Sequence, residues 1–230
     1  MMNKAEIVSL SKELQDIKNL KIQIENITKQ RNEEQIPKRL IAYNLACSVM
    51  FVDMRNSTDM TDNNGRKDMI KIYKMFAKLV IKAVENNNGR VEQIMGDGLL
   101  CTFINDNIPS GDHAINAAMD INTYLDQAYN AIVEKDWEIK CGIGIRTGHI
   151  YVTRIGIRGK NKVSKVAYPS AITNYACKMC GAAEGGEILF DETTYSQIQN
   201  KNLKEEAKTV AKDRIGKCKS IKGRIWRIEA

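Results

Sequence analysis

The chain has 230 residues, of which 43% are hydrophobic and 27% charged, and 35 Lys and Arg against 28 Asp and Glu give it a formal charge of +7. That length holds one well-buried domain plus an appendage, and the composition is that of an ordinary globular protein. No apolar run approaches the ~20 residues that span a bilayer, Met1-Met2-Asn3-Lys4-Ala5-Glu6 lacks the apolar stretch of an export signal, and the scattered lysines form no nucleic-acid motif; a membrane span, secretion and nucleic-acid binding are not expected, and the default location is cytoplasmic.

Residues 1 to about 36 read as a helical segment, with Ile7, Leu10, Leu14, Ile17, Ile24 and Ile27 at a/d-like spacing and Lys21 interrupting it. A short coiled coil and a helix lying on its own domain both fit. Ile36-Pro37-Lys38 should end the helix, because proline removes a donor and clashes with the preceding turn. This divides the chain into residues 1–40, an N-terminal helix, and 41–230, one α/β domain.

Within that domain a strand is expected at about 46–53 and a helix at about 65–87, the helix stopped by Asn86-Asn87-Asn88-Gly89. Arg90 to Phe103 reads as a hairpin turning at Gly96-Asp97, and a second helix covers about 112–134. Ile139–Arg146 and His149–Arg154 read as two strands joined by a Thr147-Gly148 turn. Arg158 to Lys165 reads as an exposed loop or β-arm, followed by a helix at about 170–182, a strand at Glu187–Phe190, a short helix near Asp191–Asn200 and a last strand at Arg224–Ile228. The order is βαββαβ with a small β/α extension, which predicts a ferredoxin-like α/β sandwich with helices on one sheet face. Cys47, Cys101 and Cys141 fall in apolar runs and read as core; Cys177-Lys178-Met179-Cys180 has no second pair and no His partner, so zinc is not expected.

Asp53 ends the apolar run Ser48-Val49-Met50-Phe51-Val52, and Asp97 sits in the turn of Ile94–Phe103. Each alone also reads as an ordinary turn residue. Two carboxylates delivered from neighbouring strand ends suit hard divalent cations, whose shells nucleotide phosphates usually complete.

Five motifs in order then resemble the class III nucleotidyl cyclases, from about Ala46 to Arg227. They are Phe51-Val52-Asp53-Met54-Arg55-Asn56-Ser57-Thr58, Gln93-Ile94-Met95-Gly96-Asp97, Gly142-Ile143-Gly144-Ile145-Arg146-Thr147-Gly148, Asn174-Tyr175-Ala176-Cys177-Lys178 and Ile221-Lys222-Gly223-Arg224. The resemblance implies that Asp53 and Asp97, with the Met54 carbonyl, hold two Mg²⁺ or Mn²⁺ ions. It implies that amides of Arg55, Asn56, Ser57 and Thr58 cradle the phosphates of a nucleoside triphosphate, which the positive charge would also attract. Asn174 would orient the ribose, and Lys178 would stand where the family usually has arginine. Lys222 or Arg224 would contact the terminal phosphates, or else be solvated surface. In this family the site forms between two domains, so a homodimer with two composite sites is implied.

The base pocket departs from the purine cyclases. Gln93 and, by ungapped alignment, Ala167 stand where those enzymes carry their base-reading residues, with Tyr168 beside them able to close on a smaller ring. Together with Arg55 after the metal motif, this resembles the pyrimidine cyclases of Pycsar anti-phage systems, which make cyclic UMP or cyclic CMP for a separate effector. UTP is expected ahead of CTP and ATP. An adenylate cyclase with a variant pocket and a catalytically silent, dimerising cyclase-like domain are the alternatives.

Overall fold

The computed structural model describes residues 4–37, 40–156, 164–211, 214, 216, 221 and 223–229. In chain order the elements are α1 (Lys4–Lys18), β1 (Gln23–Ile27), β2 (Ile41–Met54), α2 (Ser57–Asn63), α3 (Arg66–Asn86), β3 (Gly89–Met95), β4 (Gly98–Phe103), α4 (Ser110–Tyr124), β5 (Cys141–Gly156), β6 (Ser164–Ala167), α5 (Ala171–Cys180), β7 (Glu187–Asp191), α6 (Glu192–Gln197), α7 (Lys201–Glu206), β8 (Lys208–Thr209) and β9 (Ile225–Glu229). They fall into two compact units: Met1–Leu45 with Tyr151–Tyr168, and Ala46–Ile150 with Pro169–Ala230.

The first unit contains the expected N-terminal helix but corrects its extent. The helix ends at Lys18, and β1 pairs in parallel with the opening of β2, Gln23 opposite Ile41 through Ile27 opposite Leu45. The physical reason is a change of period. Ile22 and Ile24 are two apart, which suits a strand, and Ile24 and Ile27 are β-branched. The apolar side chains of α1, including Ile7, Leu10, Leu14 and Ile17, are exposed. Antiparallel pairing of Thr153 with Ala167 joins the end of β5 to β6, and most of the 158–165 segment lies outside the described residues.

In the second unit the strands run β3-β4-β2-β5-β7-β9-β8. The first four of these, with α3 and α4, make the ferredoxin-like βαββαβ core. The spacing of Met69, Ile72, Phe76, Val80 and Ala83 gives α3 one apolar stripe, and that stripe packs with Ile115, Ala118 and Ile121 of α4 on Met50, Val52, Leu99, Cys101, Ile143 and Ile145. The second helix is shorter than expected. Its α-helical part ends at Tyr124 and a π-helical turn, Leu125–Tyr129, follows.

Two further expectations are corrected. Helices cover both sheet faces: Ile188 and Phe190 of β7 join the α3/α4 core, whereas Leu189 packs with Met179 of α5 and Ile225 of β9 on the other side. The middle of β7, Ile188-Leu189-Phe190, is buried on both faces and accordingly apolar. And Thr147-Gly148 does not turn; β5 runs straight through it. Its glycines are there for closeness. A Cβ on Gly144 would lie 2.1 Å from the Ala176 carbonyl and 2.3 Å from the Cys180 amide, and one on Gly148 would lie 2.6 Å from Ile172. Helix α5 therefore rests directly on the β5 backbone.

Buried hydroxyls tie the core together. Ser48 of β2 bonds Ser110 of α4 at 2.9 Å and Thr147 of β5 at 2.6 Å, and Thr147 bonds Thr194 of α6 at 2.8 Å. Thr194 donates in turn to Asp191 at 2.7 Å, so every member has a partner.

Gly144→Ala should destabilise the protein by about 1–3 kcal/mol, the usual range for overpacking a filled site, because the obstruction is helix backbone. Urea unfolding should show a lowered midpoint at unchanged slope. An unchanged midpoint would contradict the close seat of α5.

Candidate active site

Asp53 comes one residue before the end of β2, where Met50, Val52 and Met54 point into the α3/α4 core. Alternation puts Asp53 on the opposite face, the one α5 covers. Gly98 lies directly across from it in β4, and a Cβ at Gly98 would stand 3.2 Å from an Asp53 carboxylate oxygen. Asp97 immediately precedes that glycine. It occupies a two-residue hairpin loop whose first residue, Gly96, has φ +65°. A tight turn with glycine first matches the twist of its flanking strands. The structure thus brings both predicted carboxylates to one strand end.

Their electrostatics follow from that placement. Burial, and then the negative charge of Asp97, push the Asp53 carboxyl above its ordinary value, while Arg55 opposes the shift. Arg55 is the cation paired with Asp53, 3.5 Å away, and the Asp53 side chain remains 31% exposed. Two like-charged carboxylates, partly open and supplying oxygen donors only, fit hard divalent cations. Met54, the predicted third contributor, is the last residue of β2, its side chain in the core and its carbonyl the group of interest.

The predicted phosphate cradle is only partly available. The Arg55 amide donates to the Lys140 carbonyl at 2.8 Å, continuing the strand, so the first of the four expected amides is committed. Asn56 then takes a left-handed φ of 58° and opens α2, with its carbonyl accepting from the Met60 amide. Asparagine tolerates that conformation better than most residues. The Arg55 side chain is turned elsewhere: it donates to the Cys180 carbonyl at 2.5 Å and lies over Gly142.

Asn174 and Lys178 are exposed on α5, one turn apart and so on one face. Ala176, Met179 and Cys180 are the buried face of the same helix. At 100° per residue the two faces are nearly opposite, so Asn174 and Lys178 point away from the sheet that carries Asp53. Among the described residues no hydrogen bond or ion pair joins either of them to Asp53 or Asp97. The Lys178 ammonium lies 5.0 Å from the Tyr175 ring, which also stacks with Arg146 at 4.5 Å. Arg146 in turn reaches Asp191, 3.5 Å away.

Gln93 lies in β3 opposite Leu100, next to an irregularity of the ladder between Val91 and Gln93. Ala167 ends β6 and Tyr168 beyond it is buried. Arg224 is exposed just before β9, which β5 and β7 separate from β2, roughly 14 Å at ordinary strand spacing. Lys222 lies outside the described residues. Sequence reasoning missed two features. Gly142, read as a residue of the expected strand Ile139–Arg146, makes room for Arg55. Glu92, beside Gln93, is a carboxylate whose side chain is only 3% exposed, held by Arg90 at 2.8 Å and Thr102 at 2.7 Å.

Comparison with known proteins places this geometry. Residues 42–224 match the family model described as the adenylate and guanylate cyclase catalytic domain. The chain belongs to that family: it carries a class III nucleotidyl cyclase catalytic domain, which acts on nucleoside triphosphates. It is 24% identical over 196 residues to a uridylate cyclase of Treponema porcinum, covering 83% of this chain and 68% of that one. It is 25% identical over 160 residues to a uridylate cyclase of Burkholderia cepacia, covering 68% and 67%. Among solved structures, the catalytic core of a rhodopsin-guanylyl cyclase with converted specificity, in complex with ATPαS, superposes with a TM-score of 0.66 at 18% identity, over 82% of this chain and 98% of that one. No described helix is long and apolar enough to cross a membrane.

Asp53→Asn should stabilise the metal-free protein at neutral pH. The folded carboxyl binds its proton more tightly than the unfolded one, so folding stability falls as pH rises from the ordinary aspartate range through the raised value and stays lower above it. Melting temperatures of the two proteins in chelator should differ at neutral pH and converge below the ordinary aspartate range. A variant that melts no higher than wild type at neutral pH would contradict the repulsive pair.

Proposed function

We propose that this chain is a uridylate cyclase, converting UTP to 3′,5′-cyclic UMP and pyrophosphate as a homodimer. The ribose 3′-oxygen attacks the α-phosphorus, and the bond to the bridging oxygen of the β-phosphate breaks. Divalent cations, Mn²⁺ or Mg²⁺, would supply acidification of the 3′-hydroxyl and charge neutralisation on the triphosphate. Asp53, Asp97 and the Met54 carbonyl would hold them. Amides of Asn56, Ser57 and Thr58 would face the phosphates, with Lys222 or Arg224 at the terminal ones. Asn174 would orient the ribose, and Lys178 would stabilise charge on the α-phosphate as a point charge without arginine's fork.

The observation that carries the dimer is the outward face of α5. Asn174 and Lys178 point away from the strand ends of their own chain, so a second copy is needed to meet them with Asp53 and Asp97. The base assignment rests on Gln93, Ala167 and Tyr168, and the likeness to two uridylate cyclases supports it. Gln93 donates and accepts, Ala167 offers no hydrogen bond, and a purine left without partners loses about 1–3 kcal/mol for each unpaired polar group. By the same likeness to pyrimidine cyclases, the product would act as a second messenger in anti-phage defence, read by a separate effector.

Purified protein given equimolar UTP, CTP, ATP and GTP with Mn²⁺ should yield cyclic UMP by mass spectrometry, at least about tenfold above the purine products, a gap of roughly 1.4 kcal/mol. Cyclic AMP as main product would overturn the base assignment and leave the cyclase standing. Mn²⁺ should raise the melting temperature of wild type and leave Asp53→Asn unmoved, a readout independent of turnover.

The composite site has its own test. Asp53→Asn and Asn174→Ala should each be inactive alone, and mixing them under proven subunit exchange should restore part of the activity. Only one of the two sites in a mixed dimer keeps both halves.

A further inference from the structure

Arg55 is placed as no phosphate-binding arginine need be. Its guanidinium contacts Asp53 at 3.5 Å on one side. On the other it donates to the Cys180 carbonyl at 2.5 Å and reaches the Cys180 sulfur at 3.5 Å. Cys180 is the last residue of α5, where a cation is favoured; its carbonyl also accepts from the Ala183 amide at 3.1 Å, so Arg55 is its second donor. The seat is built for this group. A Cβ on Gly142 would fall 1.9 Å from Arg55 Nη2, and the Cys180 thiol donates to the Gly142 carbonyl at 3.1 Å. The side chain is 22% exposed, and its Nε is buried without an acceptor, so fit over Gly142 sets the position as much as hydrogen bonding does.

Within one chain, then, a single side chain connects the metal-side carboxylate to the helix carrying Asn174 and Lys178. We propose that Arg55 is a positioning residue that ties Asp53 of one active site to the α5 helix serving the other, so the two sites of the dimer share a strut. The inference rests on the composite-site reading above. In a dimer with crossed sites, Asp53 and Asn174 of one chain belong to different sites. A change that loosens Arg55 should therefore harm both sites, the one that uses its carboxylate and the one that uses its helix.

Mixed dimers separate the two effects. With Asp53→Asn in one chain and Asn174→Ala in the other, the intact site takes Asp53 from the second chain and Asn174 from the first. Arg55→Gln in the Asn174→Ala chain should lower turnover, since Asp53 loses its neighbour. Arg55→Gln in the Asp53→Asn chain should also lower kcat, by about fivefold or more, although that chain supplies only α5 to the intact site. Gly142→Ala in the Asp53→Asn chain, which expels the guanidinium without altering it, should do the same. Thermal melts show whether each chain is folded, and Arg55→Lys replaces Arg55→Gln if that chain is not. A loss confined to the Asn174→Ala chain would overturn the strut and leave Arg55 serving Asp53 alone. Full activity with Gly142→Ala in the Asp53→Asn chain would overturn it equally. If the starting mixture, with Arg55 intact in both chains, is inactive, the composite-site reading fails and the shared strut falls with it.

Discussion

The register between β2 and β4 is the constraint on which the candidate site depends. Asp53 opposes Gly98, and Asp97 precedes that glycine in the hairpin loop. Because side chains alternate across a strand, slipping β2 by one residue would turn Asp53 into the α3/α4 core and Val52 out of it. That slip is opposed by Met50, Val52 and Met54 on one side and by the Ser48 hydroxyl, bonded to Ser110 and Thr147, a few residues upstream. The strand is thus fixed by its apolar face and by one buried polar network. The carboxylates gain nothing from being close and raise the energy of the metal-free fold. The packing behind them is what holds them there.

The second constraint is how near α5 can come to β5. Gly142, Gly144 and Gly148 are spaced by even numbers and so share one face of a strand. Two of them admit the helix and the third admits the Arg55 side chain. At Gly144 the missing Cβ lets helix backbone rest on strand backbone, and at Gly148 it admits the Ile172 side chain, which together fix the height and roll of α5. The roll also decides that the face carrying Asn174 and Lys178 is the one presented to solvent, which is what the proposed composite site requires.

These two constraints explain what was legible in the sequence. Alternation and helical periodicity locate β2, α3, the β3–β4 hairpin, α5 and β7, and the motif order points to the cyclase family. Asp53 and Asp97 are visible because charged residues interrupt apolar strand runs. The even-spaced glycines were equally visible but ambiguous: Thr147-Gly148 is a turn signal in isolation, and only the helix lying over Gly148 makes it a packing signal. The N-terminal segment misled for a related reason. An apolar spacing of three and four residues passes into one of two residues at Ile22 and Ile24 without any proline or glycine to mark the change. The engagement of Arg55 was not legible at all, because it depends on Cys180, 125 residues away.

The same geometry bears on the proposed composite site, in which one chain does not complete its own site. The strand ends carry the carboxylates, and the outward face of α5 carries Asn174 and the Lys178 ammonium. Beneath that ammonium, the Tyr175 ring stacks on Arg146, and Arg146 is anchored to Asp191. The positive group therefore sits on a supported platform, though its own flexible stem remains free to swing toward a partner. Folding α5 over to bring Lys178 to its own Asp53 would require lifting Ala176, Met179 and Cys180 off the sheet and breaking the Arg55–Cys180 contact. Docking a second copy requires neither. For a two-fold pair, the carboxylate-bearing strand ends facing Lys178 on α5 of the other copy form an isologous, self-complementary arrangement, satisfied twice by one set of contacts. On the proposed dimer, the burial that makes the single chain incomplete is also what presents each half-site in a fixed orientation to its counterpart.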